Sequence, residues 1–289
     1  MGKDLYETFP CAREVFDEAD AALSFPLSKL CFEGPAEELR LTENTQPAVL
    51  TASIAALRVL EYRGKRADVV AGHSLGEYSA VVCAGGLSFA DAVRVVRERG
   101  RFMQEAVPVG KGAMAAVLGL DAELVSRICV DTADSEVVST ANLNAPGQVV
   151  IAGHVAAVER ASRLARERGA QRVLRLPVSA PFHCALMKPA RERLAAVLKG
   201  VEFQDLRVPL VNNVEAVAVT GAAEVRENLI RQVTSAVRWS DSICELVRLG
   251  MEAAVEVGPG RVLAGLIRRI DRSIQVQSIG TSAQVEKYV

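Results

Sequence analysis

Ser74 sits in the pentapeptide Gly72-His73-Ser74-Leu75-Gly76. An apolar run ending in Val69-Val70-Ala71 precedes it, and an alanine- and valine-rich run through Ala80-Val81-Val82 follows. That order reads as strand, sharp turn and helix. Such a turn holds a serine in a strained backbone geometry and lifts its hydroxyl above the end of a parallel sheet. Gly72 and Gly76 are expected there because a Cβ at either position would strike the neighbouring strand or helix. The helix beginning beside Ser74 turns backbone N–H groups toward the hydroxyl, which suits a developing oxyanion. The chemistry is nucleophilic attack by a hydroxyl. The plain alternative is a serine that caps an ordinary strand-to-helix junction.

A serine nucleophile needs a base, and imidazole is the usual one near neutral pH. The chain has three histidines, His73, His154 and His183. His73 adjoins Ser74, but consecutive residues of such a turn point apart. His154 follows the strand end Ala152-Gly153 and reads as the start of a loop. His183, in Ala180-Pro181-Phe182-His183-Cys184, is the best candidate; a capping or surface histidine is the alternative. A cation completes the set. The segment after Ser88 forms a helical wheel whose apolar sector holds Phe89, Val93, Val96 and Met103, with Arg94, Arg97 and Arg101 opposite. Arg99 falls near the middle of the apolar sector. A guanidinium there needs a fixed anion or a ring of acceptors. Its planar fork fits a substrate carboxylate, and a structural pair with a buried Asp or Glu fits equally well.

The elements that must position these groups follow from periodicity and punctuation. Residues 3–24 read as one helix. Thr45-Gln46-Pro47 reads as the start of a buried helix running to Leu60, with Pro47 in its first turn. Residues 110–178 have a different texture: strand 113–118, helix 122–130, strands 137–142 and 149–152, helix 156–167 and strand 172–178. This β-α-β-β-α-β order is the ferredoxin-like split unit, with Asn144-Ala145-Pro146-Gly147 as its central turn. Beyond it come short strands at 208–212 and 214–219, helices at 225–233 and 242–249, a strand at 253–257 and a helix at 262–270. The expected fold is α/β. A parallel-sheet, α/β-hydrolase-like large domain (1–109 and 179–289) carries an inserted ferredoxin-like subdomain (110–178), and the site lies where the two meet.

Composition narrows the function classes. The chain has 289 residues, 50% hydrophobic and 24% charged, enough for a sizeable core. A formal net charge of −1 with no basic block argues against nucleic acid as a partner. No apolar run approaches the roughly 20 residues of a membrane span, and residues 1–5 lack the apolar centre of a secretory signal. The six cysteines are scattered without a CxxC pair, which points to free thiols in a reducing cytoplasm and away from zinc.

The run Ala71-Gly72-His73-Ser74-Leu75-Gly76-Glu77-Tyr78-Ser79-Ala80 resembles the nucleophile motif of malonyl-CoA:acyl carrier protein transacylases. Arg99-Gly100-Arg101-Phe102-Met103-Gln104, Ala180-Pro181-Phe182-His183, Arg231-Gln232, Val237-Arg238-Trp239 and Glu256-Val257-Gly258-Pro259-Gly260 resemble further motifs of that family, in its order and spacing. The resemblance implies a ping-pong transfer of malonyl from malonyl-CoA to the phosphopantetheine thiol of acyl carrier protein. Ser74 would be the nucleophile and His183 the base, with the backbone carbonyl of Gln232 orienting the imidazole. The Leu75 N–H would serve the oxyanion and Arg99 the malonyl carboxylate, while Phe182 would exclude an α-methyl group by clash. It implies no metal or bound cofactor. A cytoplasmic monomer serving fatty acid biosynthesis is the expected setting.

One departure accompanies the resemblance. Family members begin with a buried strand ending in Gly-Gln-Gly-Ser-Gln, whose glutamine helps form the oxyanion hole. Met1-Gly2-Lys3-Asp4-Leu5 resembles the sequence just after it, so a longer natural product is expected. Two rivals stand beside the transferase: a truncated, non-catalytic binder of carrier protein, and a serine hydrolase or thioesterase. The hydrolase would place a carboxylate behind the histidine and need no buried arginine.

Overall fold

A computed structural model describes residues 1–178 and 180–288. Ser179, at the expected domain boundary, and Val289 lie outside the described residues. The chain opens with a helical layer: α1 (Lys3–Thr8), α2 (Pro10–Leu23), α3 (Leu27–Glu33), α4 (Ala36–Leu39) and α5 (Thr42–Tyr62). The single helix expected over 3–24 is two. Pro10 stands at the first position of α2, where its missing N–H costs nothing, and Phe9 before it is extended. The long helix starts three residues before the expected Thr45. The Leu41 carbonyl takes the N–H groups of Asn44 and Thr45, which closes an extra turn and leaves Pro47 inside α5. That turn brings Gln46 into the buried interior.

The strand β1 (Val70–Ala71) then leads through the serine turn into α6 (Leu75–Cys83) and on to α7 (Phe89–Glu105). Ser88 caps α7, its Oγ accepting from the Asp91 N–H. Next come β2 (Gly112–Leu118), α8 (Ala122–Ala133), β3 (Val138–Ala145), β4 (Gln148–His154), α9 (Val155–Glu167) and β5 (Arg172–Arg175). These four strands make one antiparallel sheet in the order β3-β4-β2-β5, the ferredoxin-like arrangement. His154 does not start a loop. It ends β4 and directly precedes α9, and its Nδ1 accepts from the Val137 N–H. One face of the sheet packs on α8 and α9 through Val117, Ile128, Ile151 and Ala161. The other face sets Met114, Ala141, Val150 and Ala152 against Cys184 and Phe182, the neighbours of His183.

The chain continues through α10 (Lys188–Lys199), β6 (Leu210–Val211), β7 (Ala218–Val219), α11 (Ala222–Gln232), α12 (Trp239–Arg248), β8 (Ala253–Val257), α13 (Val262–Ile270), β9 (Gln275–Ile279) and α14 (Ser282–Tyr288). Among the strands of the described residues, β1 pairs parallel with β6 and β8 with β9, while β7 runs antiparallel to β6. The strands expected over 208–212 and 214–219 shrink to two residues each. Asn212 Oδ1 takes the N–H groups of Val214 and Glu215, so the backbone folds into a side-chain-capped turn instead of continuing. The helix expected from Ser242 begins at Trp239. The strand β9 has no counterpart in the sequence reading; its two buried residues, Val276 and Ile279, stand three apart and so show no two-residue alternation. No described helix is long and apolar enough to cross a membrane.

The two lobes share backbone. The Val237 N–H donates to Ala141 O at 2.9 Å, and the Leu143 N–H donates to Val237 O at 2.8 Å. These bonds fasten the edge of the small sheet beside the serine turn.

Candidate active site

The serine turn is built on a clash that only glycine avoids. A Cβ placed on Gly72 would lie 2.0 Å from both the carbonyl carbon and oxygen of Gly76. Gly76 itself corrects the sequence reading: a Cβ there would meet nothing within 4 Å. The crowding is one-sided, because Gly76 presents its backbone to Gly72 and its own Cβ direction to open space. We expect Gly72→Ala to lower stability by about 2 kcal/mol or more, and Gly76→Ala to leave it nearly unchanged. Thermal unfolding of the two variants checks this, and equal losses would refute the one-sided packing.

Ser74 has φ +52°, a left-handed conformation that costs a non-glycine residue about 1–3 kcal/mol. A carboxamide holds it there. Asn213 Oδ1 accepts from the Ser74 N–H at 2.7 Å, and Asn213 Nδ2 donates to Gly72 O at 2.7 Å. One side chain thus staples both sides of the turn. Ser74 makes no side-chain cap to α6. His73 points away from the hydroxyl: its Nε2 lies 2.8 Å from Asn144 Oδ1, with its ring near Trp239.

Ser74 Oγ lies 2.8 Å from His183 Nε2. His183 also has a left-handed backbone, φ +59°, and is 4% exposed. Its Nδ1 lies 2.9 Å from the Gln232 carbonyl oxygen. A carbonyl can only accept, so Nδ1 carries the proton and the Nε2 lone pair faces the serine hydroxyl. Burial, reinforced by the charge of Arg99, pushes His183 down to about 3. The imidazole is therefore a neutral base at physiological pH.

Arg99 is 2% exposed. Nη1 donates to Gln46 Oε1 at 2.7 Å; Nη2 donates to Gln232 Oε1 at 2.8 Å and to Ser74 Oγ at 3.1 Å. Removing a guanidinium from water costs several kcal/mol, and these neutral acceptors offset part of it. Among the described residues no carboxylate contacts it directly, so the structural ion pair weighed from the wheel is not seen there. Gln232 is fully buried and works at both ends: its backbone carbonyl meets His183, and its Nε2 donates to Ser74 O at 2.9 Å and to Glu77 Oε2 at 2.6 Å. Leu75 is the first residue of α6, so its N–H is one that a helix leaves without an internal partner. Phe182, half-buried, packs against both the main core and the inner face of the small sheet.

Sequence reasoning therefore names Ser74, His183, Arg99 and Gln232, which the fold gathers into one cluster. It misses Gln46, Asn213 and Glu77. Each carried a faint signal: a glutamine before a proline in an apolar run, an asparagine pair closing an apolar strand, and a carboxylate in an otherwise uncharged helix. Arranged this way, the cluster can take a proton from a hydroxyl beside a fixed positive charge, the requirement for transferring an acyl group that bears an anion.

Comparison with known proteins agrees. The profile of the acyl transferase domain family matches residues 1–286. The chain is 50% identical over 287 residues to the malonyl CoA-acyl carrier protein transacylase of Bacillus subtilis (strain 168), covering 99% of this chain and 90% of that protein. It is 52% identical over 271 residues to the Escherichia coli (strain K12) protein of the same name, covering 93% and 88%. The crystal structure of an acyl carrier protein S-malonyltransferase from Vibrio cholerae O1 superposes with a TM-score of 0.98 at 46% identity, covering 100% of this chain and 95% of that one. A malonyl-transacylase in complex with a type II polyketide synthase acyl-carrier protein gives 0.96 at 46% identity, covering 99% and 93%.

Proposed function

The chain belongs to the malonyl CoA-acyl carrier protein transacylases of the acyl transferase domain family, and from that membership we propose how its own residues carry the reaction. It transfers malonyl from malonyl-CoA to the phosphopantetheine thiol of acyl carrier protein, supplying fatty acid assembly. Ser74 Oγ attacks the thioester carbonyl while His183 Nε2 takes its proton. The oxyanion of the tetrahedral intermediate accepts from the Leu75 N–H. Collapse breaks the carbon–sulfur bond, the departing thiolate recovers the proton from His183, and malonyl remains as an ester on Ser74. The carrier thiol then attacks that ester, giving its proton to His183, which returns it to Ser74 Oγ as the carbon–oxygen bond breaks and malonyl leaves as the carrier thioester. Throughout, the Gln232 carbonyl keeps the imidazole in the tautomer the transfer needs.

Arg99 pairs with the malonyl carboxylate, and the Phe182 ring fills the space an α-methyl group would need. On this reading residues 110–178 form the small lobe over the cleft. The protein acts as a monomer in the cytoplasm, without contact to membrane or nucleic acid. The observation that carries the proposal is the convergence of Ser74 Oγ with His183 Nε2 at 2.8 Å and Arg99 Nη2 at 3.1 Å. Peptide mapping after incubation with malonyl-CoA tests it. One malonyl ester is expected on Ser74, discharged on adding phosphopantetheinylated carrier protein. Malonyl found elsewhere, or none, would overturn the assignment.

A further inference from the structure

The reaction above leaves one buried charge without a task. Glu77 lies one turn into α6 from Ser74 and has no solvent exposure. Its Oε2 accepts from Gln232 Nε2 at 2.6 Å and from the Asn213 N–H at 3.3 Å. Its Oε1 has no hydrogen-bond partner among the described residues. Gln232 Oε1 in turn accepts from Arg99 Nη2 at 2.8 Å. A single carboxamide therefore stands between the Glu77 carboxyl and the Arg99 guanidinium. Among the described residues, Glu77 is the only buried Asp or Glu and Arg99 the only buried Lys or Arg. The charged and titratable groups facing the carboxyl are Arg99 from α7 and the Tyr78 phenol beside it on α6; His183 faces Arg99 from the loop before α10.

We infer that Glu77 and the carboxylate of the acyl group share this one buried cation, so that loading a malonyl group draws a proton onto Glu77 Oε1 and the site's preference for carboxylate-bearing acyl groups depends on that proton. The inference rests on the function proposed above. Two carboxylates and one guanidinium in a dry site leave an uncompensated negative charge, and like charges at close quarters are relieved by protonating one of them. Oε1 can take the proton without disturbing either bond made by Oε2. An acetyl group brings no charge and leaves Glu77 as it was. Burial already pushes the Glu77 carboxyl up to about 7, against the opposing pull of its bonds to Gln232 and Asn213 and of the Arg99 charge. The proton is thus available near neutral pH.

The sign of the pH effect follows. Loading of malonyl should slow as pH rises and Glu77 ionises, while His183, already neutral, contributes no slope. The loading half-reaction on the full chain tests this, with acyl-serine followed by intact mass after rapid quench. Between about pH 6 and about pH 9, the ratio of malonyl to acetyl loading rates is expected to fall roughly tenfold. In Glu77→Gln, which keeps the shape and the acceptor toward Gln232, the ratio should stay flat. A second measurement needs no variant. With stoichiometric enzyme and a pH-indicator dye near pH 7.5, malonyl-CoA should take up a fraction of a proton more than acetyl-CoA; released CoA titrates alike in both and cancels. Equal proton counts, a pH-independent ratio in the unaltered protein, or an unchanged slope in Glu77→Gln would overturn the inference. Failure of malonyl to label Ser74 at all would instead defeat the functional reading, and this inference with it.

Discussion

Alanine at Ser74 or at His183 is expected to lower malonyl loading by about 10⁴-fold or more, and the double variant should be no worse than either single one. The two side chains act as one unit. Without the hydroxyl there is no ester to form; without the imidazole the hydroxyl keeps its proton, and the departing thiolate has no acid to meet. Removing the second partner after the first removes nothing that was still working. Ser74→Ala should leave the fold intact, because the turn is held by Asn213 through the Ser74 backbone N–H and Gly72 O rather than through Oγ. It also relieves no strain, since alanine tolerates φ +52° no better than serine does. Stopped-flow or quench measurements of acyl-enzyme formation give the rates, and additive losses in the double variant would separate the pair. The Gln232 carbonyl behind His183 sharpens the contrast with a hydrolase triad: among the described residues, a backbone carbonyl and not a carboxylate meets that imidazole.

Arg99→Ala is expected to lower kcat/KM for malonyl-CoA by about 10²- to 10³-fold while leaving acetyl-CoA loading little changed or faster. Among the described residues no carboxylate contacts the guanidinium, and its acceptors are the neutral Gln46, Gln232 and Ser74. An arriving malonyl carboxylate is the strongest partner available to it. Loss of the cation therefore falls on the substrate that carries an anion. Acetyl loading gains from the removal of a charge that depresses His183, whose imidazole becomes a stronger base. Arg99→Lys should be intermediate, since it keeps the charge and loses the planar fork. Parallel assays with both esters, alongside thermal unfolding, distinguish the outcomes. Equal losses for malonyl and acetyl would assign Arg99 a structural role.

Local chemistry explains which parts of this protein could be read in one dimension. The serine turn is legible because its requirements are contiguous: an apolar strand, a glycine at 72 where a Cβ would meet the Gly76 backbone, and an apolar helix. Arg99 is legible because a charge inside an apolar helical sector violates a periodicity that the rest of α7 obeys. The small lobe is legible because its strands are seven or eight residues long in three cases out of four. The bounds of β6 and β7 are not legible, because no period can register over two residues and pairing with a neighbouring strand defines them.

The amino-acid order alone determined which residues could be nucleophile, base and cation, since those roles depend on side-chain chemistry and on neighbours in the chain. Only the tertiary structure decided the support beneath them. Asn213 reaches Ser74 across 139 residues, Gln232 reaches it across 158, and Gln46 meets Arg99 across 53. An amide side chain has no period and no preferred partner until the backbone closes around it. Its role comes from the orphan N–H, carbonyl or charge that burial leaves beside it, and burial is a property of the folded chain.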